Sequence, residues 1–597
     1  MTNNFFRKDN VKFFLSKYNI NWLTYQNLDH SGFHKSFPLR RKLEENFISE
    51  QLKNGLFIKK FINFNNLNDE KSEKLNLTLR GEFAKKGNIC FESTSLMLLE
   101  CFFPKNKFII NYYTYYISSY LLLKKNNFLD INVNSIHCFF FKFDINRLKL
   151  ILINRLKLIL NEFVPSFKKN KNSNYPNKNL NDLSKYKFAY FPHSNLRYGV
   201  AYNKTFIYEE DDKSKLYKKN VLTLFLNETD ALSARYLKIR KIPYFNIKQF
   251  ISKRFAFIKT IDFLIKNFSI INILKNINIY NILLFIFYCK FLFDFYKFKN
   301  LLSKMSCLKA IYVYYDILFP KTLALVCELE GVKTVSHQAR TYQYAYFSPL
   351  FFNYYLVSGD FKNLLPKYSY AIDSYVNMGI IGAYKIHNTK INNLNKELIN
   401  LRLIQNKKKI ILCVGLFAED SHNSGLEGND GTSMQNNIDF VKTIYDLSCE
   451  FKLLHFIIRF KNKDVTSIIP EDMLSKIIKS NNIEINNNLN TLNIYDLTKI
   501  SDFIIGKQTS LLEEALSAGK KVVFYDNENH FKSMDYVLNQ VDISEKNFDG
   551  LKKRINYFLS NNNNYFDIFK NEKNDYFSIN KNINSLKVIK DTIKNII

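Results

Sequence analysis

The chain has 597 residues, of which 46% are hydrophobic and 16% aromatic, and it carries a formal net charge of +32. A single core stops growing at roughly 250–300 residues, so several domains are expected and a wholly disordered chain is excluded. The charge suits an anionic partner, but no RNP motif, zinc-finger spacing or helix-turn-helix pattern accompanies it, so nothing specific supports nucleic acid.

The amino terminus, MTNNFFRKDN, has no apolar h-region, so a secretory leader is not expected. The eight cysteines (Cys90, Cys101, Cys138, Cys289, Cys307, Cys327, Cys413, Cys449) form no CxxC pair, and several sit within apolar runs. They read as buried free thiols of a reducing compartment, which places the chain in the cytoplasm. Residues 1–180 form a helix-rich region, either part of the following lobe or appended to it, with a strand expected at Ile136–Phe143. Within it INRLKLIL at Ile145–Leu152 is repeated at Ile153–Leu160. Eight residues advance a helix about 80° past two turns, so the copies share no face and the repeat is a local duplication, not a solenoid. Lys168–Asn181 is polar and reads as a surface loop or linker.

From residue 181 to 390 the pattern becomes strand, loop, helix. Phe188–Ser194, Val221–Leu226, Ala310–Asp316, Lys333–Gln338 and Tyr354–Gly359 are short apolar runs ending in polar residues or glycine, as buried parallel strands do. Pro320–Gly331 reads as a helix closed by Gly331, which makes Ala310–Gln338 a βαβ unit. The apolar stretch Ile282–Cys289 is too short for a span, which needs about 20 residues. The acidic run Glu209–Asp212 sits among lysines and reads as a solvated turn, not a metal site. Asn388–Lys409 is a polar connection to a second alternating set over residues 405–590: strand Lys409–Gly415, helix Asn437–Phe451, strand His455–Lys461, strand Asp502–Lys507, helix Thr509–Ala518 and strand Lys520–Asp526. The fold class expected is α/β, two Rossmann-like lobes with a helix-rich amino-terminal extension.

The densest chemistry is in SDFIIGKQTSLLEEALSAGKKVVFYD, Ser501–Asp526. A strand ending at Gly506 turns into a helix near Thr509 and Ser510, so backbone N–H groups and the helix dipole offer a phosphate site. The two hydroxyls and Lys507 add donors and charge. Glu513 lies three residues after Ser510 and reads as the partner of a capping box, which leaves Glu514 to accept hydrogen bonds from a ribose. Gly415 ends the first strand of this lobe, before a long loop rich in Gly, Asp and Asn that contains His422. Arg459 and Lys461 share one strand face near a carboxyl end, where a donor phosphate would sit or where they are merely exposed.

Gly506–Asp526 resembles the donor-site strand–helix–strand of GT-B glycosyltransferases that build bacterial surface polysaccharides, and it is similar to the QEEA segment of UDP-sugar 2-epimerases. In the latter the glutamate just before the alanine holds the ribose, and it matches Glu514. Tyr314–Arg340 resembles the end of the amino-terminal lobe of the same enzymes. The likeness covers residues 310–530 and implies a metal-independent transferase that needs no cofactor beyond its nucleotide-sugar donor. One departure concerns the end of the strand HFIIRFK, where relatives transferring sialic acid or glycerophosphate carry His-Pro and this chain reads RFKNKD.

For an inverting transfer the general base is sought among Asp316, His337 and His193, each at the end of an expected strand of the first lobe. The alternative for Asp316 is a turn cap before Pro320, and for His337 a hydrogen-bonded buried histidine. Arg340 is a candidate for holding an acidic group of the acceptor. Tyr342, Tyr344 and Tyr346 alternate as on a half-buried strand edge. The expected activity moves a sugar from a nucleotide-sugar to a surface-polysaccharide or lipid-linked glycan, with peripheral contact to an anionic membrane at its inner face. The rivals are a nucleotide-sugar epimerase or polyol-phosphate transferase on the same fold, and a non-enzymatic basic protein binding membrane or nucleic acid.

Overall fold

A computed structural model describes residues 55–84, 180–192, 207, 213–226, 231–247, 253–267, 279–314, 319–338, 350–358, 370–388, 408–415, 434–460, 466, 469–486, 494–507, 509–527, 543–560 and 583–597. The strand expected at Ile136–Phe143 and the tandem octapeptide lie outside these residues.

Two amino-terminal helices, α1 (Leu56–Phe64) and α2 (Asp69–Ala84), precede the first sheet. That sheet is built from β1 (Phe188–Phe191), β2 (Val221–Phe225), β3 (Tyr244–Asn246), β4 (Ala310–Val313), β5 (Lys333–His337), β6 (Leu350–Val357) and β7 (Tyr370–Asn377). Its order is β3-β2-β1-β4-β5-β6-β7, and every pair is parallel. β1, β2 and β4 are buried along their whole length, which is why they read as unbroken apolar runs. Between the strands run α3 (Ala231–Ile239), α4 (Lys253–Asn267), α5 (Ile279–Ser303) and α6 (Lys321–Leu329). As expected, α6 stops just before Gly331, whose φ of +73° is the left-handed conformation that ends a helix cheaply with glycine.

α1, α5 and α6 bury one face of the sheet. The Phe57 and Tyr288 rings stack at 4.0 Å, and Phe61 meets Phe291 and Phe295 edge-on. α2 is fixed by a polar tie. Lys74, 3% exposed, lies 2.8 Å from Glu328 of α6, 3.3 Å from Asp373 of β7 and 3.1 Å from Glu70. Asn353 donates to both Glu328 and Asp373, at 2.9 and 2.6 Å. Burial works against the Lys74 charge, yet its hydrogen bonds to Glu328 and Glu70 raise its pKa above the ordinary value. The described part of the amino-terminal region is thus a component of the first lobe. α5 has 25 residues, but no described helix is long and apolar enough to cross a membrane.

After β7, helix α7 (Ile381–Asn388) stands between the two lobes. Ile381 joins the core on the second face of the first sheet, while Ala383 and Ile386 join that of the next lobe. The second sheet comprises β8 (Lys409–Gly415), β9 (Leu454–Phe460), β10 (Ile483–Ile485), β11 (Phe503–Gly506), β12 (Lys521–Tyr525) and β13 (Ser544–Glu545). It too is wholly parallel, with the order β10-β9-β8-β11-β12-β13. α8 (Met434–Glu450), α9 (Glu471–Lys479), α10 (Ile494–Ile500), α11 (Ser510–Ser517) and α12 (Phe548–Ser560) accompany it. The last helix, α13 (Ser585–Ile596), leaves this lobe, and its Ile589 and Ile593 pack against Phe188, Tyr190 and Tyr312 of the first sheet. The chain therefore closes back on its first lobe.

Candidate functional site

In an open parallel sheet the ligand crevice lies outside the carboxyl ends of the two strands where the order reverses. In the second lobe those strands are β8 and β11. Their ends are in register, Val414 opposite Gly506, and the Lys507 N–H donates to the Val414 carbonyl at 3.2 Å. Both strands finish in glycine because a side chain has no room there. A Cβ on Gly415 would overlap the Phe460 ring, and one on Gly506 would stand 2.5 Å from Val414 and 2.9 Å from Leu512.

β11 leads through Lys507 into α11. Thr509 is extended and caps the helix, its hydroxyl accepting from the Leu511 N–H at 3.4 Å. Lys507 is buried, while Thr509 and Ser510 are half-buried. The first-turn N–H groups and the positive end of the dipole therefore face the switch point, the arrangement that receives phosphate. Gly415, Gly506, Lys507, Thr509 and Ser510 are brought together here.

The capping box expected between Ser510 and Glu513 does not form. The cap is Thr509, one residue earlier, so Glu513 falls four residues after it and cannot reach back. Glu513 is instead fully buried, and neither carboxyl oxygen has a hydrogen-bond partner. Burial, helped by the neighbouring Glu514 charge, pushes its pKa well above the ordinary carboxylate value, which favours the protonated acid. Glu514 points elsewhere, to the first turn of α7, where only a glycine leaves space: a Cβ on Gly382 would overlap the Glu514 carboxyl group. The glutamate singled out for a ribose thus lies where the two lobes meet.

One turn along α7, Lys385 spans the same junction. Its ammonium is 3.4 Å from the Tyr314 hydroxyl, 5.9 Å from the Tyr314 ring and 5.7 Å from the Tyr495 ring of α10. Nothing in the sequence distinguished Lys385 among 86 basic residues.

Arg459, expected either at a donor phosphate or exposed at the strand end, is not exposed. It is buried and donates to the backbone carbonyl of Asn486 at 2.9 Å and to the Asn486 side chain, tying β9 to the end of β10. His337 also departs from its catalytic reading. Its Nδ1 is 2.7 Å from the Tyr312 hydroxyl, and its ring lies between Tyr312, stacked at 5.8 Å, and Tyr314, edge-on at 5.1 Å. Burial, reinforced by the Lys385 charge, lowers its pKa to about 3. It is a buried, hydrogen-bonded neutral imidazole and a poor proton acceptor.

Asp316, His193, Lys461, Arg340, His422 and Tyr342, Tyr344 and Tyr346 lie outside the described residues. Among the described residues no group of three or more His, Cys, Asp or Glu is arranged to hold a metal ion.

No family model and no curated protein matches the sequence. Among solved structures, the chain is similar to the UDP-GlcNAc 2-epimerase of Neisseria meningitidis bound to UDP-GlcNAc, at 12% identity over 68% of this chain and 99% of that one, with a TM-score of 0.41. It is similar to Acinetobacter baumannii MurG at 11% identity over 68% and 99%, TM-score 0.38. It is also similar to the wall teichoic acid polymerase TagF soaked with CDPG, at 10% identity over 76% and 98%, TM-score 0.38. No residue is carried over from these likenesses, and the two-lobed α/β fold stands on the strand orders themselves.

Proposed function

We propose that this chain is a glycosyltransferase that moves a sugar from a nucleotide-sugar donor to a surface-polysaccharide or lipid-linked glycan. The observation that carries the proposal is the junction just described: two strands ending in glycine at the switch point of the second lobe, a capped helix opening on them, and Glu514 of that helix at the meeting of the lobes. The donor diphosphate lies on the first turn of α11, with Thr509, Ser510 and Lys507 around it, and Glu514 accepts from the ribose. The acceptor hydroxyl enters from the first lobe. Its oxygen attacks the anomeric carbon, a base takes its proton, and the bond from that carbon to the diphosphate oxygen breaks, leaving the nucleoside diphosphate on α11. The dipole and Lys507 offset the leaving charge, so the step needs no metal and survives a chelator. With His337 sealed and neutral, the base is Asp316 or His193, which follow β4 and β1, the pair at the first lobe's own switch point. A first lobe enlarged by α1 and α2 suits transfer to a large acceptor better than epimerisation of a small one.

The test is thermal stabilisation by a panel of nucleoside mono- and diphosphates. A ligand that binds only the folded state raises the melting temperature. One base is expected to give a clear shift, and Glu514→Ala to weaken that ligand by about tenfold, roughly 1.4 kcal/mol, without unfolding the chain. A folded protein that responds to no nucleotide overturns the proposal. Unchanged affinity in Glu514→Ala removes that residue from the site.

A further inference from the structure

The first lobe carries an apolar face turned to solvent. α4 buries Ala256, Thr260 and Phe263, with the Phe263 ring meeting Phe57, Phe61 and Phe64 of α1. At about 100° per residue, the opposite side of that helix holds Arg254, Ile258, Ile261 and Ile265 in one line. Ile258 and Ile265 are 53% and 68% exposed and Ile261 is 39% exposed, so the outward line is isoleucine where a surface helix is ordinarily polar. Cations border it. Arg254, Lys259 and Lys266 are exposed on α4, and Lys59 and Lys60 are exposed on the adjoining α1, which also exposes Leu56 and Phe64. α4 has one acid, Asp262, and it is paired with Lys266 at 3.0 Å; α1 has none.

We propose that α4 docks this protein on an anionic lipid surface, its isoleucine line entering the interface and the flanking lysines and arginine meeting the headgroups. The charge pattern selects this occupant. A second copy seated on the same face would bring Lys59, Lys60, Arg254 and Lys259 against their own kind, which like-charge repulsion opposes. A nucleic acid would engage the cations through phosphates and leave the isoleucines unused. An anionic bilayer uses both, since apolar burial and attraction to acidic headgroups act together. The net charge of +32 adds long-range attraction of the same sign. This surface is independent of the donor site, so the two proposals fail separately.

The experiment is flotation of the full-length protein with vesicles of phosphatidylcholine, with and without phosphatidylglycerol. Wild type is expected to float with the anionic vesicles and to be released as salt rises. The combined variant Ile258→Ser, Ile261→Ser, Ile265→Ser is expected to bind them roughly tenfold or more weakly at an unchanged melting temperature, because those side chains are already exposed. Lys59→Glu, Lys60→Glu, Arg254→Glu, Lys259→Glu is expected to lose the preference for phosphatidylglycerol. Glu514→Ala floats as wild type does. The proposal is overturned if wild type stays with the unbound fraction, or if the serine variant floats equally well. It is overturned too if sedimentation shows self-association that the serine variant abolishes while wild type ignores vesicles.

Discussion

The two sheets repeat one plan through their first six strands, with the order reversing between the first and fourth of each, yet the ends of those strands are finished in opposite ways. In the second lobe the switch strands end in glycines, and the next residues open a helix whose N–H groups face the crevice. In the first lobe β4 ends among aromatic rings: Tyr312 stacks on His337, and Tyr314 stands between His337 and Lys385. One end exposes backbone and suits a phosphate; the other presents rings and a cation at the lobe junction. A shared topology fixes where a crevice lies, and the residues at the last positions of its strands decide what enters it.

The lobes also differ in how they hold their buried charge, and the largest expected effect tests that. The first lobe keeps Lys74 ionised inside a cluster of carboxylates that joins α2, α6 and β7. Lys74→Met leaves Glu328 and Asp373 facing each other without their cation. It should cost about 3 kcal/mol, the low end for a broken buried pair, because the Asp373 side chain remains 41% exposed. Urea melts should show this loss while the nucleotide-induced shift is retained. A melt unchanged within error would mean that α2 is held by its apolar contacts alone.

The second effect separates the lobes by pH. His337 is neutral in the folded protein, with a pKa near 3 against an ordinary value of 6.5. In that interval the unfolded chain binds a proton that the folded chain refuses, so its contribution is full above 6.5 and is lost as the pH falls. At about 1.4 kcal/mol per unit, acidification from 6.5 to around 5 should remove roughly 2 kcal/mol. His337→Gln should flatten this part of the stability curve. If the variant keeps the wild-type acid slope, the imidazole is not sealed.

How much of this was legible follows from where each signal resides. β8 could be read to the residue, since a doubly buried strand is an apolar run and its terminal glycine marks the end. β6 is expected from Tyr354 to Gly359, which starts four residues late and runs two past its end, and β7 is not anticipated: YAIDSYVN is neither an unbroken apolar run nor an alternating one, and it forms an edge strand paired to β6 among the described strands. The turn from β11 through Lys507 to the cap at Thr509 was legible because its parts are nearly contiguous. Gly382 against Glu514, and Lys385 between two tyrosines, were not, because each joins segments from different lobes and no local pattern encodes that meeting. The burial of Arg459 was not legible either, because its partner Asn486 lies 27 residues on, opposite it at the carboxyl end of the neighbouring strand. The Ser510–Glu513 spacing misled because Thr509, an equally good cap, stands one residue before it.

Glu513 is the reverse of His337 and gives the smallest expected effect. Burial in α11 favours the protonated form of its carboxyl group, so its folded pKa stands well above the ordinary 4.5. Between 4.5 and that raised value the folded state binds a proton the unfolded state has released. Stability from this group is therefore full below about 4.5 and falls as the pH rises, the opposite slope to that of the first lobe. Glu513→Gln removes the titration while keeping shape and a polar end. The variant should be more stable than wild type at neutral pH, with the advantage disappearing as the pH approaches 4.5. The gain is limited because the amide is as short of hydrogen-bond partners as the acid it replaces. Melting temperatures of both proteins across that range measure it. A variant less stable than wild type at every pH would mean that the carboxyl group has a partner that glutamine cannot satisfy, and the contrast between the lobes would then rest on His337 alone.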